Sequence, residues 1–319
     1  MGKDLERQLL FAEELSELLA DLFSRPVYLD FESGDHLVIN RVDIVSVSRR
    51  SSMQRVEIFR TPHFGIVLAL DGWVQLAQSD EHIYHELLIH PAALVHPSLR
   101  SALVLGGGDG CAVRELLRYE ELEYLDMVEI DAAVIELSRE YLHKINRKSL
   151  DDPRLHTFIN DGEQFLKDNP EKTYDLIIAD LTEPYDSAGD FGGLSGHIFS
   201  ADFYQLLKGH MNPSAILVIQ TGGLSFNAYV DKLHCEILEG LQAGFGTVSA
   251  AYEYIPSYEQ IWSITLASDH PYDFIGFDPD PSMERKGIGP LKYYDRISHT
   301  RAFQMPRTVR DLLASRKAE

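Results

Sequence analysis

The chain of 319 residues contains only two cysteines, Cys111 and Cys235. Two cysteines cannot build the dense disulfide framework that stabilises many small secreted domains. Cys111 comes directly after a glycine turn at the start of a helical pattern. We therefore expect it to be a small buried residue and not a nucleophile.

Basic residues are also scarce, since 29 lysines and arginines stand against 50 aspartates and glutamates, for a net charge of −21. Binding to a phosphate backbone needs clustered lysine and arginine, so we expect no nucleic-acid partner. A surplus of acidic residues suits a polycationic small molecule, although solubility alone also accounts for acidity in many proteins.

Long apolar runs are missing as well, and none approaches the roughly 18 residues that a membrane-spanning helix needs. The first seven residues lead into a glutamate-rich segment and not into the apolar core of a secretory signal. We therefore expect no membrane partner and a cytoplasmic location.

Three regions with different hydrophobic periods follow one another along the chain. Apolar residues recur at helical spacing over residues 5–23, which predicts an amphipathic helix within residues 1–26. Residues 27–78 carry short apolar runs separated by Gly, Asp and Ser, which predicts a small antiparallel β-domain. Residues 79–319 open with a helical pattern and then alternate between strand and helix, which predicts a separate α/β domain.

The α/β region is predicted to be a doubly wound sheet with helices between its strands. In such a sheet the ligand crevice lies at the carboxyl ends of the strands. Acidic residues, among them Asp109, Glu129 and Asp180, fall at several of these predicted ends, which points to a site there. The strands are expected near residues 102–106, 124–130, 154–159, 174–180, 214–220, 247–254 and 261–267.

Residues 102–131 combine an apolar strand, a glycine turn, a helical pattern and a second apolar strand that ends in acidic residues. Glycines let the backbone approach a ligand at a helix N-terminus, and the later carboxylate can accept hydrogen bonds from ribose hydroxyls. The spacing Gly106-x-Gly108-x-Gly110 departs from the dinucleotide fingerprint, and Asp109 inside the turn would repel a pyrophosphate. The pattern therefore favours a nucleoside with a cationic tail.

A buried strand pattern over residues 174–180 ends in Asp180, and Glu183 follows three positions later. Two carboxylates at a strand end can bind ammonium groups and accept a proton from one of them. An alkylammonium of pKa about 10.4 has no free lone pair, so an amine that attacks needs such a base nearby. Residues 181–197 form a polar loop with several glycines, which favours a lid over the crevice, with a flexible linker as the alternative.

Eight short motifs occur in an order that resembles the polyamine aminopropyltransferases, that is, spermidine synthase and its relatives. They are L-D-G-W-V-Q (70–75), D-E-x-x-Y-H-E (80–86), G-G-G-D-G (106–110), M-V-E-I-D (127–131), D-D-P-R (151–154), N-D-G (160–162), A-D-L-T-E-P (179–184) and I-P-S-Y (255–258). The resemblance covers about residues 50–305. It implies a catalytic domain with a Rossmann-like, methyltransferase-type doubly wound sheet, preceded by the small antiparallel β-domain.

The resemblance implies a transferase that moves the aminopropyl group of decarboxylated S-adenosylmethionine to a polyamine amine and releases methylthioadenosine. The sulfonium donor is a co-substrate, and the implied reaction needs no cofactor and no metal. Putrescine giving spermidine, or spermidine giving spermine or thermospermine, are the implied reactions, with agmatine as a further acceptor. Glu183 stands where putrescine-using members usually carry Asp, and together with Trp262 it resembles the thermospermine synthases, so the acceptor stays open.

The resemblance also implies which residues bind the donor. Gln54 and Glu129 match residues that contact the ribose, and Asp161 with Gly162 matches the adenine site. Asp109 within the turn is expected to attract the bare ammonium of the decarboxylated donor and to repel the carboxylate of ordinary S-adenosylmethionine. The implied donor-binding set is Gln54, Gln75, His85, Asp109, Glu129, Asp161, Gly162 and Asp180.

Three further matches concern catalysis and the acceptor. Asp180 is implied to take the proton from the acceptor amine, and Tyr84 and Tyr258 are implied to orient that amine. Glu183 and Glu259 add carboxylates that suit further ammonium groups of a longer acceptor.

Two other functions stay open on the sequence. One is an S-adenosylmethionine-dependent methyltransferase on the same fold, and the other is a non-catalytic polyamine-binding protein. The second requires loss of the base, whereas Asp180 and both tyrosines are present. The resemblance further implies a homodimer or homotetramer that assembles through the β-domain, with residues 5–23 extending the contact.

Overall fold

The computed structural model of the chain describes residues 27–33, 36–181, 200–224 and 230–316. The chain divides into two compact units, and the boundary lies between Ser79 and Asp80. The predicted N-terminal helix, residues 182–197 of the predicted lid, and Glu183 lie outside the described residues, so these remain predictions. Within the described residues, no helix is long and apolar enough to cross a membrane.

The first unit contains antiparallel β-structure, as predicted. Its strands are β1 (Val27–Ser33), β2 (His36–Arg41), β3 (Ile44–Arg50), β4 (Arg55–Thr61), β5 (Gly65–Leu70) and β6 (Trp73–Ala77). β1 pairs with β2, and β3 to β6 form a four-stranded meander. Asp71 and Gly72, with φ of 48° and 98°, make a two-residue turn between β5 and β6.

The second unit is centred on a seven-stranded sheet. Its strands are β7 (Ser101–Gly106), β8 (Tyr124–Glu129), β9 (Leu155–Ile159), β10 (Tyr174–Asp180), β11 (Met211–Leu224), β12 (Thr247–Ile255) and β13 (Gln260–Ser268). The strand order is β12-β13-β11-β10-β7-β8-β9. β13 is antiparallel to β11 and β12, and the other neighbouring strands are parallel.

Helices precede these strands, connect several of them and follow the last one. They are α1 (Glu81–Val95), α2 (Cys111–Leu116), α3 (Ala132–Tyr141), α4 (Gly162–Asp168), α5 (Ala201–Gly209), α6 (Val230–Gly244), α7 (Asp280–Arg285), α8 (Arg296–Ala302) and α9 (Arg307–Arg316). Residues 84–94 of α1 are all buried, which explains why this helix is apolar on most of its surface.

The predicted doubly wound α/β fold is confirmed, with one feature that the sequence did not predict. β13 lies between β11 and β12 and runs against both. β12 and β13 are joined only by the 3₁₀ turn Pro256–Tyr258 and Glu259. A parallel connection needs a crossover of a dozen or more residues, so this short turn can only make an antiparallel pair.

The order of the strands places the crevice between β7 and β10. The chain proceeds from β7 to β8 and β9 on one side of the sheet and from β10 to β11 on the other. Ligands of open α/β sheets bind outside the carboxyl ends of the strands at this point of reversal. Asp180 at the end of β10 is paired in register with Gly106 at the end of β7.

Candidate active site

The glycine turn after β7 lets two acidic residues approach the backbone closely. A Cβ atom on Gly106, whose φ is 79°, would overlap the carbonyl oxygen of Asp180. A Cβ atom on Gly108 would lie 2.8 Å from Oε2 of Glu129. Glycine at 106 is therefore required for the end of β10 to close on the turn, and glycine at 108 leaves room for the carboxylate of Glu129.

Glu129 ends β8 beside this turn, and its side chain is buried. Its Oε1 accepts the backbone N–H of Asp131 at 2.9 Å. Burial raises the pKa of Glu129 to about 7, and the hydrogen bonds from Asp131 and Gly108 oppose that shift only in part. A buried carboxyl next to a glycine turn suits the predicted ribose contact, although that role stays a prediction.

Asp161 and Gly162 lie at the start of α4, just after β9. Oδ1 of Asp161 accepts the backbone N–H of Gln164 at 2.9 Å and so caps the helix. A Cβ atom on Gly162 would lie 3.3 Å from Leu105 of β7. Both residues therefore lie just beyond the carboxyl end of β9, and their contact with adenine remains a prediction.

Asp180 accepts a hydrogen bond from a tyrosine that lies 96 residues earlier in the chain. The hydroxyl of Tyr84 on α1 donates to Oδ1 of Asp180 at 2.6 Å. Burial and the charge of Asp180 raise the pKa of Tyr84 well above its usual range, so the phenol keeps its proton. The ring of Tyr258 lies 6.1 Å from that of Tyr84 at 67°, and burial likewise raises the pKa of Tyr258. Of these three groups, only Asp180 can accept a proton near neutral pH.

The carboxylates of Asp180 and Asp109 face each other across the crevice. One carboxylate oxygen from each of Asp180 and Asp109 and one ring nitrogen of His85 all lie within 4.8 Å of one another. Burial and the neighbouring charge of Asp109 raise the pKa of Asp180 to about 6, against the opposing effects of His85 and Tyr84. Two carboxylates this close together repel each other, and a cation bound between them would stabilise both.

His85 contributes one positive charge to this arrangement. Its Nε2 lies 3.6 Å from Oδ1 of Asp109, and its Nδ1 lies 2.7 Å from the carbonyl oxygen and 3.2 Å from Oε2 of Glu81. Burial by itself lowers the pKa of His85. The hydrogen bond to Glu81 and the charges of Asp109 and Glu81 outweigh burial and raise that pKa to about 9. His85 is therefore protonated at neutral pH.

Glu81 and Arg114 support the site, and the sequence analysis assigned neither of them a role. The guanidinium of Arg114 donates to both carboxylate oxygens of Glu81, at 2.9 and 2.8 Å. Burial opposes ionisation of Glu81, but its hydrogen bonds to His85 and Arg114 lower its pKa to about 2. The signal was available in part, because Glu81 belongs to the D-E-x-x-Y-H-E motif.

The other acidic residues of that motif anchor α1. Asp80 occupies the N-cap position of α1, but its side chain makes no capping hydrogen bond. It accepts hydrogen bonds from Ser257 instead. Glu86 accepts the backbone N–H groups of residues 292–294 at 2.8 to 3.0 Å. Asp80 and Glu86 therefore join α1 to two distant segments of the second unit.

Three further predicted site residues lie in the first unit or next to Tyr258. Gln54 is buried near the turn between β3 and β4, and Gln75 is half-buried on β6, both in the first unit. Glu259 follows the Pro256–Tyr258 turn with φ of 52°, and its side chain is exposed. Their predicted roles, like that of Glu183, remain predictions.

Two groups of donor atoms in the described residues are close enough to hold a metal ion. They are Glu81 with His85 and Cys111, and His85 with Asp109 and Asp180. Both groups need an unprotonated imidazole nitrogen from His85, whereas the surrounding carboxylates favour the imidazolium. The donor chemistry therefore suits an ammonium better than a divalent metal.

Comparisons with known proteins identify the family of the chain. Residues 81–275 match the family model described as the spermine/spermidine synthase domain, and residues 40–78 match that of the spermidine synthase tetramerisation domain. The polyamine aminopropyltransferase of Aeropyrum pernix is 31% identical over 294 residues, which cover 91% of this chain and 91% of that protein. That of Sulfolobus acidocaldarius is 31% identical over 298 residues, which cover 93% and 96%.

Solved structures give the same result. A spermidine synthase in complex with the transition-state analogue AdoDATO matches with a TM-score of 0.80 and 29% identity, over 91% of this chain and 95% of that chain. The spermidine synthase from Thermotoga maritima matches with a TM-score of 0.78 and 28% identity, over the same shares. The predicted fold and the predicted resemblance are both confirmed, and the chain belongs to the spermine/spermidine synthase family.

Proposed function

We propose that the chain transfers the aminopropyl group of decarboxylated S-adenosylmethionine to a polyamine amine and releases methylthioadenosine. Polyamine aminopropyl transfer is the activity for which its curated relatives are named, and the prediction of such a transferase is confirmed. The observation that carries the mechanism is the hydrogen bond from Tyr84 to Asp180, opposite Asp109 and at the point where the strand order reverses.

The proposed donor site uses charge to select its ligand. The facing carboxylates of Asp109 and Asp180 attract the terminal ammonium of the donor's aminopropyl arm. Ordinary S-adenosylmethionine carries a carboxylate on that arm, which both side chains would repel. In this proposal Glu129 binds the ribose, Asp161 with Gly162 binds the adenine, and His85 contributes to the donor site of the second unit.

The proposed reaction is a direct displacement. The lone pair of the acceptor nitrogen attacks the aminopropyl carbon next to sulfur, and the electron pair of the breaking C–S bond leaves with the neutral thioether. The acceptor nitrogen must lose a proton, and Asp180 receives it while Tyr84 and Tyr258 orient the amine. The nearby sulfonium disfavours a second positive charge, so it lowers the pKa of the acceptor ammonium.

Neither a cofactor nor a metal takes part in this proposed reaction. The match of residues 40–78 to a tetramerisation domain supports an oligomer, and we propose a homotetramer formed through the first unit, with a homodimer as the alternative. The proposed ligands are small molecules, namely the sulfonium donor and a polyamine. The cytoplasmic location stays a prediction.

Calorimetry with both sulfonium donors tests the function. We expect the decarboxylated donor to bind at least about tenfold more tightly, since one charged contact contributes about 1.5–3 kcal/mol. Tighter binding of S-adenosylmethionine itself, followed by methyl transfer, would favour the methyltransferase alternative. Binding of polyamines without any product would favour the non-catalytic alternative.

The acceptor is open between putrescine and spermidine, with agmatine as a third candidate. Trp262 packs against Tyr258 with ring centroids 4.8 Å apart, and Glu259 adds a negative charge next to Tyr258. Both features suit a longer acceptor with a further ammonium group. Mass spectrometry of the products, with putrescine, agmatine, spermidine and cadaverine in competition, identifies the preferred amine directly.

A further inference from the structure

The turn that carries Tyr258 is held by a side chain from the start of α1. The two carboxylate oxygens of Asp80 accept the backbone N–H of Ser257 at 2.7 Å and its hydroxyl at 3.0 Å. Both residues are buried, with 4% and 6% of their surfaces exposed. This two-point contact joins segments that lie 177 residues apart in the chain.

Asp80 makes this contact instead of capping its own helix. It occupies the N-cap position of α1, where an aspartate normally accepts a backbone N–H of the first turn. Its side chain makes no such bond. Burial raises the pKa of Asp80, and the hydrogen bonds from Ser257 act against that shift. The carboxylate is therefore both withdrawn from the helix end and buried against one partner.

The contact fixes the two tyrosines relative to each other. Tyr84 lies four residues after Asp80, about one helical turn along α1, and its hydroxyl is bound to Asp180 at 2.6 Å. Tyr258 is the next residue after Ser257, and its ring packs 6.1 Å from that of Tyr84. A shift of Ser257 would therefore move Tyr258 relative to both Tyr84 and Asp180.

We propose that Asp80 is a positioning residue for the acceptor amine, and that it acts through Ser257 to hold Tyr258 against Tyr84 and Asp180. The proposal rests on the role of Tyr258 in the proposed aminopropyl transfer. Donor binding is assigned to the glycine turn, to the ends of β8 and β9, and to Asp180 and His85. The hydrogen bonds of Asp80 go to Ser257 and to none of these donor residues. Loss of the contact between Asp80 and Ser257 should therefore raise the acceptor KM and leave the donor Kd unchanged.

The chain contains a closely matched control at the opposite end of the sheet. Asp175, at the start of β10, accepts the backbone N–H of Ser101 at 3.0 Å and its hydroxyl at 3.3 Å. The same Asp–Ser pairing thus occurs where a strand begins, at the other end of β10 from Asp180. Asp175→Asn and Ser101→Ala therefore weaken a contact of the same kind at a distance from the reaction.

The test compares steady-state kinetics and calorimetric donor affinity across Ser257→Ala, Ser257→Thr and Asp80→Asn. We expect Ser257→Ala to raise the acceptor KM about fivefold, the effect of one lost hydrogen bond, and Asp80→Asn to raise it about tenfold. The donor Kd should stay at the wild-type value in both. Ser257→Thr keeps the hydroxyl and should have the wild-type acceptor KM. The two control variants should lower the melting temperature without raising the acceptor KM.

An acceptor KM in Ser257→Ala and Asp80→Asn that is no higher than in the controls would overturn the positioning role, as would an equal rise in the donor Kd. Wild-type turnover in the same assay keeps that failure distinct from failure of the proposed function. A wild-type protein that transfers no aminopropyl group overturns the proposed function and, with it, the role of Asp80. If Asp80→Asn does not fold, Ser257→Ala and Ser257→Thr decide the question alone.

Discussion

The amino ends and the carboxyl ends of the central strands both bury carboxylates, but they use them differently. At the amino ends, Asp175 accepts the backbone N–H groups of Arg100 and Ser101 at 2.8 and 3.0 Å and the side-chain amide of Asn212 at 2.7 Å. These bonds join the beginnings of β7, β10 and β11. The negative charge is surrounded by donors, so this carboxylate holds strands together.

At the carboxyl ends, Asp180 accepts the hydroxyl of Tyr84 but also faces Asp109 within 4.8 Å. Like charges so placed destabilise each other, and the pKa of Asp180 rises to about 6 through burial and the charge of Asp109. A buried carboxylate therefore does not by itself indicate a ligand-binding site. A pair of carboxylates that lacks enough positive charge marks a place for a cationic ligand.

The largest expected effect is a loss of kcat when the carboxylate at one end of β10 is changed, but not when the one at the other end is changed. Asp180→Asn removes the proposed base and should lower kcat by about 1,000-fold, within the range for loss of a general base. Asp175→Asn makes the same chemical change at the amino end and should leave kcat close to wild type, although it costs about 1–3 kcal/mol of stability. Stopped-time assays of methylthioadenosine release measure both variants. Near-normal turnover of Asp180→Asn would refute the assignment of the base.

The second prediction concerns the other carboxylate of the pair. Asp109→Asn should weaken binding of the decarboxylated donor about 10- to 100-fold, because an interaction with a charged group contributes about 1.5–3 kcal/mol. The same change should narrow the preference for the decarboxylated over the carboxylated donor, since a repulsive charge is lost. Calorimetry with both donors measures the two effects. An unchanged preference would show that Asp109 does not select the donor.

A smaller effect is expected at Tyr84. Tyr84→Phe should lower kcat/KM about tenfold through loss of one hydrogen bond to a charged group. Because the hydrogen bond from Tyr84 lowers the pKa of Asp180, its loss should also move the acid limb of the pH profile to higher pH. Tyr204→Phe is the matched control, since the buried hydroxyl of Tyr204 has no hydrogen-bond partner within the described structure. Equal kinetics of the two variants would argue against a role for Tyr84.

The smallest effect is expected in the glycine turn. A Cβ atom in Gly108→Ala would lie 2.8 Å from Oε2 of Glu129 and should displace that carboxylate. We expect the donor Kd to rise about threefold to tenfold, the cost of weakening one hydrogen bond. Gly209→Ala, where a Cβ meets nothing within 4 Å, should leave the donor Kd unchanged. A donor Kd that is the same in both variants would exclude Glu129 from donor binding.

Local patterns predicted most of the fold because they depend on neighbouring residues. The glycine turn and the two apolar runs of residues 102–131 predicted β7, α2 and β8, and all three are present. The antiparallel insertion of β13 was missed. Its cause, the short Pro256–Tyr258 turn, was visible in the sequence but was interpreted only as part of a site motif.

The site was predictable where strand ends and motifs coincide, as at Asp109, Glu129 and Asp180. The contacts that support it were not predictable in the same way. Glu81 pairs with Arg114, which lies 33 residues later, and Asp80 pairs with Ser257, which lies 177 residues later. No periodic or local pattern encodes which distant donor a buried carboxylate will meet, so these pairs emerge only from the folded chain.

The central claim is that the charge of Asp109 sets the pKa of the proposed base, Asp180. The pH dependence of kcat/KM for the donor tests this claim most directly. This parameter reports groups of the free enzyme, and the donor's ammonium titrates far above the relevant range. In the wild type, activity should rise with pH between about 6 and about 7, as Asp180 and Glu129 lose their protons. In Asp109→Asn the same limb should move to lower pH, because a charge that raises the pKa of Asp180 is gone. A wild-type profile without this limb, or a limb that Asp109→Asn leaves in place, would contradict the account.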